Sequence, residues 1–179
     1  MNWTRLALTS PLLAVLLLGC RYGRMQTDGA NPRKACFKQA GITLVVGEEW
    51  ECEHVGAERD LYPPTLVGPA GSIRVVLLPT DRSDPAVVAD GLLIACKANP
   101  LVVRHSIHMR KFASDKGVQG LRVTYLQDAD CKGAQSCVEN SHYLLRNRAG
   151  RCVIINYLAS AGDVDTAAVD RMLRTGLSL

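Results

Sequence analysis

Four histidines, a run of glutamates, one serine and seven cysteines are the residues of this chain that could do chemistry. His105 and His108 stand three apart. In a strand that spacing sends them to opposite faces, so they make poor joint metal ligands. His54 closes a stretch carrying Glu48, Glu49, Glu51 and Glu53, an acidic rim that could attract a cation. Only alternate members of a strand share a face, however, and a solvated strand is the expectation. Ser136 with the nearby His142 has the makings of a nucleophile and base, but no orienting carboxylate is marked and the serine sits beside Cys137. No G-x-x-x-x-G-K-[ST] phosphate loop, G-x-S-x-G elbow or H-E-x-x-H zinc motif follows the amino-terminal segment. The residues therefore predict no catalytic group, no metal site and no cofactor. Arg104, Arg110, Lys111, Arg146, Arg148 and Arg151 are expected to gather at a sheet edge and protect it, with anionic lipid headgroups or cell-wall polymer as a second use.

Cys20 stands apart from the other cysteines. Arg5 precedes an apolar run from Leu6 to Leu18, and the run closes on Leu17-Leu18-Gly19-Cys20 before the charged Arg21-Tyr22-Gly23-Arg24. About a dozen apolar residues fall short of the ~20 that cross a bilayer as a helix. A signal h-region fits better. With its small Gly19 and cysteine, this end resembles the bacterial lipoprotein signal. The resemblance implies cleavage before Cys20, a thioether-linked lipid on its sulfur and acylation of the new amino terminus. It places the protein in the bacterial cell envelope, held to a membrane through Cys20. The organisation expected is a signal over 1–19, a tether over 20–35 and one α+β domain over 36–179.

Export bears on the remaining cysteines, Cys36, Cys52, Cys96, Cys131, Cys137 and Cys152. Six is an even number, there is no C-x-x-C pair, and oxidising compartments favour disulfides. Cys131 and Cys137 bracket the polar Lys132–Ser136 with Gly133 to turn it, a short loop whose closure is worth ~2 kcal/mol by chain entropy. The other four are expected as Cys36 with Cys52 and Cys96 with Cys152, within fifteen possible complete pairings; buried free thiols are the competing reading.

About 160 residues after the signal suffice for one domain with a real core. The formal charge of +4 falls to roughly +3 when Arg5 leaves, too small and scattered to predict a nucleic-acid partner. Aromatic residues make up 5% of the chain, so the core should be aliphatic.

The elements that would position these residues follow from periodicity. Gly41–Val46 and Trp50–Val55 read as strands, Thr65–Val67 as a brief one, and Ser72–Leu78 as a clear one stopped by Pro79. Ser83 or Asp84 caps a helix over 84–98, with Pro85 in its first turn. Val88, Leu92 and Cys96 form its stripe, widened by Val87, Leu93 and Ile94. Period two returns from Leu101 to Phe112, placing Val103, His105, Ile107 and Met109 on one face. Leu121, Val123 and Tyr125 mark a further strand, and Val138–Leu145 and Arg151–Leu158 a hairpin about Asn147–Gly150. A last helix runs over 164–174, with Val164, Ala168, Val169, Met172 and Leu173 inward.

This order predicts an α+β class: a curved antiparallel sheet of about six to seven strands with helices packed on its faces. Gly41-Ile-Thr-Leu, Glu49-Trp50, Ser72-Ile-Arg-Val, the 84–98 helix, the Gly120–Tyr125 strand, the hairpin of Tyr143 and Ile154 and the closing helix together resemble the Mog1/PsbP-like fold, found also in exported bacterial proteins of the DcrB and LpqN types. The resemblance brings no catalytic residues and implies an accessory or binding module. A membrane-anchored, non-enzymatic envelope lipoprotein is thus the expected function, its partner an unidentified envelope protein or polymer met by the sheet face or the Pro63-Pro64 loop. An envelope hydrolase or metal-handling protein with a dispersed site is the alternative.

Overall fold

The structure, a computed structural model, describes residues 23–26, 33–53, 65–79, 84–128, 137–159 and 166–179. The strands are β1 (Gly23–Gln26), β2 (Arg33–Phe37), β3 (Ile42–Val46), β4 (Glu51–Glu53), β5 (Thr65–Gly68) and β6 (Gly71–Leu77), then β7 (His108–Ala113), β8 (Gln119–Asp128), β9 (Cys137–Arg146), β10 (Cys152–Ala159) and β11 (Leu177–Ser178). Helix α1 spans Pro85–Ala98 and α2 spans Thr166–Gly176. Seven strands form one open sheet in the order β4-β5-β6-β10-β9-β8-β7, and four form a second, β1-β2-β3-β11. Every pairing between described strands is antiparallel. The α+β class and the seven-stranded antiparallel sheet are as the sequence predicts.

The large sheet is dry on both faces at its centre. Along β10, Val153, Ile155 and Tyr157 point into one core while Cys152 and Ile154 point into the other, as period two dictates. Helix α1 covers the second face, with Ala89 and Cys96 buried against Val76, Leu78, Val123 and Leu144. The first face is covered by the small sheet, through Ala35, Phe37, Ile42, Leu44 and Val46, together with Val169 and Leu173 of α2. A strand burying both faces cannot alternate apolar with polar, which explains the continuous Cys152-Val-Ile-Ile155 run.

Local chemistry sets the boundaries. Asp84 accepts the Ala86 amide at 2.9 Å and Pro85 follows in the first turn, where its missing N–H leaves nothing unsatisfied. At the β9–β10 turn Gly150 adopts a φ of 76°, a region costly for residues with a Cβ. Asn147 braces this turn by accepting the Arg151 amide at 2.9 Å. It also donates to the Ala40 carbonyl at 3.0 Å, which ties the large sheet to the β2–β3 turn.

Four expectations are corrected. Strand pairing begins at Gly23, inside the segment assigned to the tether, because β1 and β2 join the small sheet with β3. The stretch from Leu101 is not one strand: it makes an isolated bridge at Val102 and a 3-10 turn over Arg104–Ser106 before β7 begins. The turn reverses the facing, so Phe112 is buried while Met109 is 46% exposed. On α1, Val87 and Ile94 are each 69% exposed and lie outside the buried stripe.

The cysteine pairings are the fourth correction. Cys52, Cys96 and Cys152 are free thiols. Cys36 lies in the small sheet, where the Thr43 hydroxyl reaches its sulfur at 3.9 Å, whereas Cys52 lies on β4 of the large sheet. Cys152 feels Asp84 at the start of α1, and Cys96 comes a dozen residues later, roughly 18 Å along the helix at 1.5 Å per residue. Burial pushes both thiols up to about 11. Of the expected Cys131–Cys137 pair, Cys131 lies outside the described residues and Cys137 is a free thiol.

Two measurements follow from this packing. Iodoacetamide at pH 8 should leave Cys96 and Cys152 unmodified in the native protein and alkylate both after denaturation, since only the thiolate reacts; a Cys96–Cys152 linked peptide on a non-reducing map would overturn the assignment. A Cβ at Gly176 would lie 2.6 Å from the Val45 carbonyl oxygen, so Gly176→Ala must push α2 off β3. We expect a loss of about 1–3 kcal/mol in urea unfolding, and an unchanged midpoint would show that the contact is relieved elsewhere.

Candidate functional site

Where α2 crosses the outer half of the large sheet, it leaves a cleft of about 310 Å³. His108 and Arg110 of β7, Arg122 and Thr124 of β8, Glu139 of β9, and Thr166 and Asp170 of α2 line it. Register explains the convergence. Arg110 pairs directly with Arg122 and His108 with Thr124, while Arg122 pairs with Tyr143 and Thr124 with Ser141. All share the face that α2 meets.

Asp170 is the hub. Its Oδ1 accepts Arg122 Nη1 at 3.0 Å and the Tyr143 hydroxyl at 3.1 Å, and its Oδ2 accepts Arg174 Nε at 2.7 Å. Partial burial alone would raise its pKa, but Arg174, Arg122 and the Tyr143 hydroxyl together hold it below the ordinary carboxylate value. Arg122 Nη2 turns to Glu139 Oε1 at 3.4 Å and to Ser141 Oγ at 3.3 Å, and Ser141 donates to Glu139 at 3.2 Å. Aromatic faces carry the cations: Arg122 lies 5.3 Å from the Tyr143 centroid and Arg174 lies 5.5 Å from that of Phe112, and the two rings meet edge to face at 5.0 Å. Tyr143 is raised by burial despite Arg122 beside it, so the phenol stays protonated and donates.

On the opposite face, under α1, a second polar group forms a chain. His142 Nδ1 lies 2.6 Å from Asn156 Oδ1 and Nε2 lies 3.1 Å from the Tyr125 hydroxyl. Because Asn156 Oδ1 can only accept, Nδ1 carries the proton, Nε2 accepts from Tyr125, and Tyr125 in turn bonds with the Cys96 thiol. Desolvation lowers the His142 pKa and raises that of Tyr125, keeping the chain neutral. These groups satisfy one another inside the fold. Their raised thiol and committed imidazole do not make a nucleophile and base.

The structure disperses most of the sequence candidates. His105 lies in the 3-10 turn and His108 on β7, so they do not share a strand. Glu51 and Glu53 are exposed on β4, while His54, Ser136 and Cys20 lie outside the described residues. His142, expected as a possible base for Ser136, has both ring nitrogens occupied. Among the described residues no group of three His, Cys, Asp or Glu side chains could hold a metal ion. The basic residues divide in two. Arg104, Arg110 and Lys111 lie at or before β7, whereas Arg146 and Arg151 flank the β9–β10 turn, with Arg151 donating to the Leu78 carbonyl at 2.7 Å and Arg146 lying 3.9 Å from Asp84. Sequence reading missed the Asp170 hub entirely; its signal is confined to the position of one acid on the inner side of an amphipathic helix.

Asp170→Asn should cost about 2 kcal/mol, because two arginines and a buried hydroxyl lose a charged acceptor. A carboxyl depressed in the folded state contributes fully above its unfolded pKa of ~3.9 and loses that contribution as pH falls through the folded value. The wild type should therefore lose stability more steeply than Asp170→Asn below about pH 4. Parallel stability curves for the two proteins over that range would remove Asp170 from the role of hub.

No protein-family profile and no curated protein matches the chain. A solved structure does. The solution structure of cyanobacterial PsbP (CyanoP) from Synechocystis sp. PCC 6803 aligns over 90% of this chain and 95% of its own, with a TM-score of 0.52 and 10% sequence identity. At that identity the likeness concerns the fold alone, and the fold of this chain is PsbP-like.

Proposed function

We propose that this chain is a lipid-anchored, non-enzymatic binding module of the bacterial cell envelope, akin to the exported DcrB and LpqN types within the PsbP-like fold. The observation that carries the reading is the state of the cleft. Its carboxylates are committed, Asp170 to three donors and Glu139 to Arg122 and Ser141. Such pairing braces the walls of a concave surface and holds Asp170 below the ordinary carboxylate value, the reverse of the raised pKa that general acid catalysis requires. The Leu17-Leu18-Gly19-Cys20 segment supports the anchor, and Arg110 and His108, displayed in the cleft, supply contacts for a partner.

Anchoring is tested first. Metabolic labelling with a fatty-acid probe should mark the wild type and not Cys20→Ala. At ~0.8 kcal/mol per buried methylene, loss of the acyl chains should also move the variant from the membrane to the soluble fraction. Unchanged labelling and fractionation would refute the lipid attachment. Binding is tested by affinity capture of the tagged protein from its native envelope followed by mass spectrometry. A specific partner whose recovery falls for Arg122→Ala supports the cleft, and turnover of envelope substrates by the purified protein would instead favour the hydrolase alternative.

A further inference from the structure

We propose that the outer edge of β7 takes an acidic peptide segment as an added strand, whose alternate carboxylates enter the cleft to meet Arg110 and His108. The proposal rests on the binding-module reading and names the partner's chemistry.

Three observations converge on β7. It ends the seven-stranded sheet, and no strand pairs with its outer side among the described residues. It therefore offers main-chain donors and acceptors, of which the Ala113 carbonyl takes Arg174 Nη1 at 3.3 Å. An edge of this kind is a template for strand addition. The opposite edge, β4, has three residues against six in β7 and carries Glu51 and Glu53.

Charge then selects the strand. Residues 104–113 hold Arg104, Arg110 and Lys111 with His105 and His108, and no carboxylate. In the cleft the charges of Arg122 and Arg174 offset those of Glu139 and Asp170 through the contacts already described. Arg110 stands outside that balance. It is paired in register directly opposite Arg122, a like-charge juxtaposition that destabilises a sheet unless an anion relieves it. Arg122 is relieved by Asp170 and Glu139, whereas Arg110 is exposed and has no charged partner among the described residues. A strand laid along β7 places every second side chain on the α2 face, where Arg110 and His108 already line the cleft. Carboxylates at those positions supply the missing anion. The intervening side chains fall on the other face, beside Lys111 and the half-exposed Met109.

The test uses the full-length protein in detergent micelles and two end-blocked octapeptides, one alternating Thr with Glu and the other Thr with Gln. Binding is followed by fluorescence polarisation and by amide hydrogen exchange. The Glu peptide should bind, weaken with added salt, and slow exchange at amides of β7; Arg110→Gln should weaken it about fivefold, and the Gln peptide should bind less well than its Glu counterpart. Equal affinity for the two peptides, or no change at Arg110→Gln with its circular dichroism intact, overturns the proposal. So does displacement of the Glu peptide by free glutarate at equal concentration without protection of β7, which would mark a small-carboxylate site. Binding of anionic vesicles in place of the peptide, or self-association of the protein that masks β7, overturns it equally. If envelope capture recovers a specific partner whose binding ignores Arg110→Gln, this proposal fails while the binding-module reading stands; if capture recovers none and the purified protein turns over substrate, that reading itself fails.

Discussion

Everything in this fold answers to the need of β9 and β10 to bury both of their faces. Tyr143, Leu144 and Leu145 on β9 and Val153 and Ile155 on β10 are fully or almost fully buried, with neighbours alternating between two cores. Burial of such side chains contributes about 1.5–3 kcal/mol each, but only if each face finds a cover. One cover is α1. The other is composite, the small sheet together with α2, and the cleft lies at the junction of α2 with β7, β8 and β9. The candidate site is thus a consequence of covering a wide sheet with pieces that do not span it.

That junction needs an anchor, and Asp170 provides it. Apolar contacts through Val169 and Leu173 hold α2 against the first core but fix neither its axial position nor its rotation. A carboxylate that accepts from β8 and from β9 does fix them, because two directional bonds to different strands tolerate little sliding, while Arg174 of its own helix orients the carboxylate. The Asp115 amide bonding to the Arg174 carbonyl at 2.9 Å adds a main-chain tie between the end of β7 and α2. The cleft is held open by bonds that close its far wall.

The legible parts of the fold were those written in contiguous residues. Asp84-Pro85 announced α1 because capping and the missing proline amide act within one turn. The β9–β10 hairpin was equally plain, its apolar runs broken at Asn147 and Gly150. The phase of β7 misled because Ser106 replaces a strand's main chain: its Oγ donates to the Val103 carbonyl at 2.6 Å and accepts the Leu126 amide at 2.8 Å. Period two was present in the letters and interrupted in space. Within the small sheet β3 was legible and β2 was not, since Arg33-Lys34-Ala-Cys-Phe37 buries only Ala35 and Phe37, too few to register as a period. Most of the site was illegible for a different reason: Arg122 and Asp170 lie 48 residues apart, and nothing in either neighbourhood specifies the other.

The two polar clusters, set on alternate residues of the same strands, show why the cleft is the side that can present charge. Ser141 and Tyr143 face the ionic hub, while His142 between them faces the chain under α1. Under α1 the groups are neutral, since an ion there would lose hydration without a counter-ion within reach. Beside α2 the side chains of Arg122, Glu139 and Asp170 keep 21%, 27% and 17% of their exposure, enough water to limit the desolvation cost and enough burial to keep the pairs directional. Charge accumulates where the composite cover is incomplete, so the opening in that cover and the polarity of its walls have one cause.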